Sequence, residues 1–130
     1  MAEHPNVSVV RRLNQAFISR DTATLFQLVG PDLTLHVPGR SRFAGRHQGP
    51  EKILGVFHES GKLAGHSFKL TLHGLLGGAD HVVALQHITG SRDGRVLDQD
   101  SGLVCHITDG KLAEVWVFLA DVRQFDEFWS

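Results

Sequence analysis

Apolar residues recur along the start of the chain at helical spacing. Val9, Val10, Leu13, Ala16 and Phe17 fall three and four positions apart, which places them on one stripe of an α-helix. Arg20-Asp21 interrupts the stripe, and Asp21 is suited to cap a second, short helix carrying Leu25, Leu28 and Val29. Gly30-Pro31 is expected to end that helix. The period then changes. Leu33-Thr34-Leu35-His36-Val37 alternates as a strand does and halts at Pro38-Gly39. A loop is expected from Arg40 to Gly49. A third helix follows, opening on Pro50, with Ile53, Leu54 and Phe57 on its apolar face and Gly61 and Gly65 at its end.

The rest of the chain reads as β. Phe68, Leu70 and Leu72 alternate with Lys69, Thr71 and His73, and Gly77 to Asp80 is a turn. A strand from His81 to Thr89 is turned back at Arg92-Asp93-Gly94, and another spans Val96 to Thr108. Asp109-Gly110 is the strongest hairpin signal in the chain and leads into a last strand, Lys111 to Leu119. Asp121, with Gln124 three residues on, resembles a capping box for a terminal helix carrying Phe125, Phe128 and Trp129. Three helices with one early strand, a four-strand antiparallel meander and a short helix imply an α+β fold with helices on one face of the sheet. Strands that are apolar on both faces need cover on the second face, and a second copy of the chain is the simplest cover.

Composition narrows the class. The length of 130 residues fits one domain spanning 1–130. A formal net charge of −1 leaves no electrostatic footprint for nucleic acid or anionic lipid. The lone cysteine, Cys105, rules out an intramolecular disulfide and suits a reducing cytoplasm. Met1 to Pro5 lacks the basic and apolar blocks of a secretory signal, and no apolar run is long enough to span a bilayer. The expectation is a cytoplasmic protein that engages neither membrane nor nucleic acid. Nine histidines and no tyrosine are the unusual features.

Three segments carry a resemblance: "FISRDTATLFQLVGPDLTLHVPG" from the end of the first helix, "RFAGRHQGPEKILGVF" and "HITDGKLAEVWVFLADVRQFDEFW". In this order and spacing they resemble the nuclear transport factor 2-like superfamily and its SnoaL-like domains, relatives of ketosteroid isomerases, limonene-epoxide hydrolases and polyketide cyclases. The resemblance implies a cystatin-like cone. A curved antiparallel sheet would wrap the N-terminal helices around a central apolar pocket, and its outer face would serve a homodimer. It also implies a small apolar organic ligand.

The family's catalytic positions carry over poorly. Where ketosteroid isomerases place a tyrosine and two acids, this chain has Leu13, His36 or Val37, and Leu103. Where the epoxide hydrolases place an arginine, two aspartates and an asparagine, it has Ala84, Gln86, Val117 and His36. What remains polar and expected to point inward is His36, suited to move a proton near neutral pH, and Gln86, suited to position a carbonyl or water. Asp121 is the nearest counterpart of the cyclases' acid/base aspartate, although it also has a helix to cap. These three are the catalytic candidates for a cofactor-free isomerase, cyclase or hydrolase. The alternative is a non-catalytic binding or scaffold module.

The ligand-binding candidates are Leu13, Phe17, Phe43, His47, Phe57, Leu103, Cys105, Val115, Val117 and Leu119. On the last two strands Leu103, Cys105 and Ile107 share one face with Ala113, Val115, Val117 and Leu119. Val104, His106, Glu114, Trp116 and Phe118 share the other, which reads as a subunit interface. Asp98 and Asp100 fall on that outer face and read as a solvated edge. The histidines show no helical i, i+4 ligand pair, so neither a metal nor a cofactor is expected.

Overall fold

The computed structural model describes residues 3–130; Met1 and Ala2, part of the segment read above for a leader signal, lie outside the described residues. Helix α1 (Pro5–Ser19) begins with proline in its first turn, where the missing N–H costs nothing, and His4 caps it by accepting a hydrogen bond from the Asn6 N–H. Helix α2 (Thr22–Leu28) is capped by Asp21, whose carboxylate accepts from the Thr24 N–H at 3.1 Å. Next come β1 (Val29–Val37), β2 (Gly45–Gln48) and α3 (Pro50–Ala64), which runs into a 3-10 turn, Gly65–Ser67. The strands β3 (Lys69–Gly77), β4 (His81–Arg92), β5 (Arg95–Thr108) and β6 (Lys111–Leu119) precede the terminal α4 (Val122–Trp129).

The six strands form one curved sheet in the order β2-β1-β6-β5-β4-β3. The meander β3 to β6 is antiparallel, as its turns require. The sheet as a whole is not: β1 runs parallel to β6, with Leu35 opposite Val115 and His36 opposite Trp116. Helix α3 and four other strands separate these strands in sequence, and such a long crossover permits parallel pairing.

Three local expectations are corrected. Gly30-Pro31 does not end a helix, because α2 already stops at Leu28 and the strand starts at Val29. Proline is tolerated there because the β1–β6 register shifts between Val29 and Thr34, so no ladder hydrogen bond is asked of it. Within the expected loop, residues Gly45–Gln48 form an edge strand against β1. Ala113 does not share the face of Val115: a bulge pairs His106 with Glu114 and Ile107 with Leu112, leaving Ala113 unpaired and turning Leu112 inward instead.

Apolar packing forms two clusters on the concave side. One sets Val7 and Val10 of α1 against Val82, Cys105, Ile107 and Val115 of the sheet. The other gathers Phe128 and Trp129 of α4 with Phe43, Ile88 and Leu97. Burying each large side chain of this kind stabilises the fold by about 1.5–3 kcal/mol. Gly90 of β4 makes room for α4: a Cβ there would lie 2.9 Å from the Phe128 ring. Gln99 fastens the start of that helix. Its side chain donates to the Asp121 carbonyl at 2.8 Å and accepts from the Asp121 N–H at 2.9 Å.

Candidate functional site

A cavity of about 180 Å³ lies between the concave face of the sheet and the helices. Its walls come from every layer: Leu13 and Phe17 of α1, Ile53 and Phe57 of α3, Leu35 and Val37 of β1, Val115, Val117 and Leu119 of β6, and Trp129 of α4. Leu33, Leu35 and Val37 of β1 line it because side chains alternate along a strand, and the same alternation sends Thr34 and His36 to other surroundings. Phe17, Phe57 and Phe68 meet edge-on at 5.2 and 6.4 Å between ring centres. These three, with Leu54, also line an open groove along α1 and α3, so the cavity adjoins solvent through an aromatic partition.

The polar lining is small. Asn14, Ser60, Gln86 and Ser101 contribute to the wall, and no residue that titrates does so among the described residues. Gln86, 5% exposed, donates weakly through its amide nitrogen to Ser101 Oγ at 3.4 Å. Ser101 in turn donates its hydroxyl proton to the Phe118 carbonyl at 3.0 Å, so towards Gln86 it acts as acceptor. This fixes the sense of the carboxamide and leaves Gln86 Oε1 buried without a partner. The Trp129 indole N–H is a second unpartnered group at the cavity wall. Ile88 and Leu119, which pack beside Trp129, neighbour Gln86 and Ser101 respectively, so both groups lie towards the α4 end.

Most apolar candidates from the sequence are brought together here: Leu13, Phe17, Phe43, Phe57, Leu103, Val115, Val117 and Leu119 all line the cavity, and so does Gln86. Four candidates do not. His36, expected inside, is on the outer face of the sheet, where its Nε2 meets the Glu114 carboxylate and its ring stacks on Trp116. Asp121 is exposed and serves as the α4 cap, its carboxylate accepting from the Gln124 N–H at 3.0 Å. His47 stands on the edge strand with its Nε2 2.7 Å from the Phe43 carbonyl oxygen, away from the cavity wall. Cys105 does point to the concave side but is sealed in the core between Val82 and Val115; burial there pushes its thiol up to about 12.

Sequence reasoning missed Asn14, Ser60, Ser101 and the polar end of Trp129. Asn14 carried a readable signal, since it sits four residues after Val10 on the buried stripe of α1 and is itself buried, donating to the Val10 carbonyl at 3.2 Å. The histidines are also less scattered than the sequence suggested. His73, His87 and Asp100 converge on the outer face, where His87 is held between Asp100 at 2.8 Å and Asp98 at 2.6 Å. These carboxylates, Asp100 foremost, raise the His87 pKa above its ordinary value, and His87 holds Asp100 below the usual carboxylate range.

Comparison with known proteins agrees with the geometry. A family model described as a SnoaL-like domain matches residues 10–115. The uncharacterized protein Rv0034 of Mycobacterium tuberculosis is 29% identical over 131 residues, covering all of both chains. Among solved structures, Bal32a from a soil-derived mobile gene cassette is 35% identical, with a TM-score of 0.93 over 97% of each chain. A Xanthomonas campestris protein described as having a cystatin-like fold is 27% identical, with a TM-score of 0.91 over 96% of this chain and 98% of that one. Among the described residues, no helix is long and apolar enough to cross a membrane.

Proposed function

The chain belongs to the SnoaL-like domain family, and from that premise we propose that it binds a small lipophilic organic molecule whose buried part carries no charge. The observation that carries this reading is the cavity lining, in which Asn14, Ser60, Gln86 and Ser101 supply polarity and nothing supplies a counter-charge. Moving an ion into such surroundings is strongly unfavourable, whereas an apolar body gains about 25 cal/mol for each Å² it buries. An apolar cavity of roughly 150 Å³ holds a benzene-sized guest. One of about 180 Å³ therefore suits one or two fused rings of a polyketide-like or other lipophilic metabolite.

The same lining weighs against proton-transfer catalysis. Isomerisation, cyclisation or hydration of that kind needs an acid or base within hydrogen-bonding reach of the bound molecule. The histidine–carboxylate pair that resembles such a device, His36 with Glu114, is on the far side of the sheet. The binding reading is therefore preferred to the isomerase, cyclase or hydrolase reading. Calorimetric titration with quinoline and with its cation N-methylquinolinium, at mildly alkaline pH, tests it. Quinoline is expected to bind and the cation to bind at least tenfold more weakly. Equal affinities, or no quinoline binding, would contradict the reading.

We also propose that the outer face pairs with a second copy of the chain. Two cross-strand rows support this, Trp116–Val104–Val83–Leu76 and Phe118–Gly102–Leu85. Phe118, Leu85 and Leu76 are 57, 45 and 61% exposed, a contiguous apolar surface of the kind that marks an interface. Light scattering should give twice the monomer mass at micromolar concentration, and a monomer mass there would overturn the pairing.

A further inference from the structure

The cluster at the β3–β4–β5 end of the outer face does not enter the cavity or any chemistry derived for it. We propose that His73, His87 and Asp100 form a surface site for a divalent transition-metal ion of the zinc class, with Asp98 as the residue that orients His87.

The backbone assembles this site from three adjacent strands. His87 of β4 lies directly opposite Asp100 of β5 in the antiparallel register, and Asp98 falls two residues earlier on the same face. His73 is delivered by a bulge: β3 pairs Leu72 with Gln86 and Gly74 with Leu85, which leaves His73 unpaired in the ladder beside His87. One ligand atom from each of His73, His87 and Asp100 lies within 4.8 Å of the others. Ligand atoms around a tetrahedral zinc ion sit about 3.3 Å apart, so side-chain rotation on fixed strands closes the gap.

The two carboxylates take different parts. His87 Nδ1 faces Asp100 at 2.8 Å and His87 Nε2 faces Asp98 at 2.6 Å. A cation placed between Nδ1 and Asp100 replaces the proton shared there and gains His73 as a third ligand. The opposite nitrogen then donates its hydrogen to Asp98, the carboxylate–histidine–metal arrangement that fixes ring orientation and raises ligand basicity. A simple ion clamp around His87 has no use for His73. Two imidazoles and one carboxylate suit zinc rather than calcium or magnesium, which take oxygen ligands. Asp100 and Asp98 side chains are 75 and 64% exposed, so the ion would keep water in its remaining position.

The test is titration of untagged protein with Zn²⁺ at neutral pH, with Mg²⁺ in parallel. One Zn²⁺ per chain and no Mg²⁺ are expected. His73→Ala and His87→Ala should abolish stoichiometric binding, Asp98→Ala should weaken it by about 10- to 100-fold, and His81→Ala elsewhere on the face should leave it unchanged. His73→Gln and His87→Gln serve the same purpose should an alanine variant lose its circular-dichroism signature. Absence of saturable zinc binding, or binding that persists in either histidine variant, overturns the site. Wild-type affinity in Asp98→Ala overturns the role given to Asp98.

Discussion

The His36 imidazole lies flat on the Trp116 indole, with 5.5 Å between ring centres and 7° between planes. The stack occupies the face of the sheet opposite the cavity, and the ring's Nε2 meets the Glu114 carboxylate. Both side chains of that pair are about a third exposed, at 33 and 35%. Partly exposed pairs of this kind contribute about 0.2–1 kcal/mol. His36→Ala should therefore leave the affinity of the cavity for quinoline unchanged and lower stability by less than about 1 kcal/mol. A tenfold loss of affinity in that variant, measured by calorimetry, would return His36 to the site.

The placement of His36 shows what the sequence held and where it misled. Alternation in Leu33-Thr34-Leu35-His36-Val37 puts His36 opposite the three apolar residues, and the structure keeps that alternation. Family resemblance drew it inward instead, and a displacement of one residue along a strand exchanges the two faces. On β5 and β6 parity was legible from Leu103, Val115, Val117 and Leu119. It failed at Ala113, because a bulge leaves no mark in apolar patterning. The edge strand Gly45–Gln48 was not legible either, since Arg46, His47 and Gln48 offer no alternation of apolar with polar residues. The pairing of His73 with His87 and Asp100 was out of reach for the same reason: it depends on register and on the bulge after Leu72.

Gln86 carries a buried acceptor without a partner, and its one hydrogen bond, to Ser101, is long at 3.4 Å. A buried unsatisfied polar group costs about 1–3 kcal/mol, more than a weak neutral hydrogen bond returns. Gln86→Leu should raise stability by about 1 kcal/mol, or roughly 4 °C in Tm for a domain of this size. Calorimetric melting of the empty protein measures this directly, and a lower Tm would mean that the carboxamide is satisfied in solution.

Gly90 is required by the close approach of α4. A methyl group at this position would lie 2.9 Å from the Phe128 ring, which is 1% exposed and packed in the α4 cluster. Gly90→Ala should cost about 1–3 kcal/mol through overpacking. Urea denaturation would register the change as a lower midpoint with an unchanged slope.

Cys105 is fully buried, and its thiol is pushed up to about 12, so almost no thiolate exists at neutral pH. A disulfide reagent should leave the native chain unmodified for as long as it stays folded and titrate one thiol after denaturation. Rapid labelling of the native protein would place Cys105 at an accessible surface.

The central claim, that the cavity is the binding site, is tested most directly by filling it. Leu103 projects into the cavity from β5, and tryptophan in its place thrusts a bulkier ring system into the space a ligand would take, without adding a charge. In calorimetric titrations, the wild-type protein should bind quinoline and Leu103→Trp, with an unaltered circular-dichroism spectrum, should not. Undiminished binding in that folded variant would contradict the account and place the ligand elsewhere on the molecule.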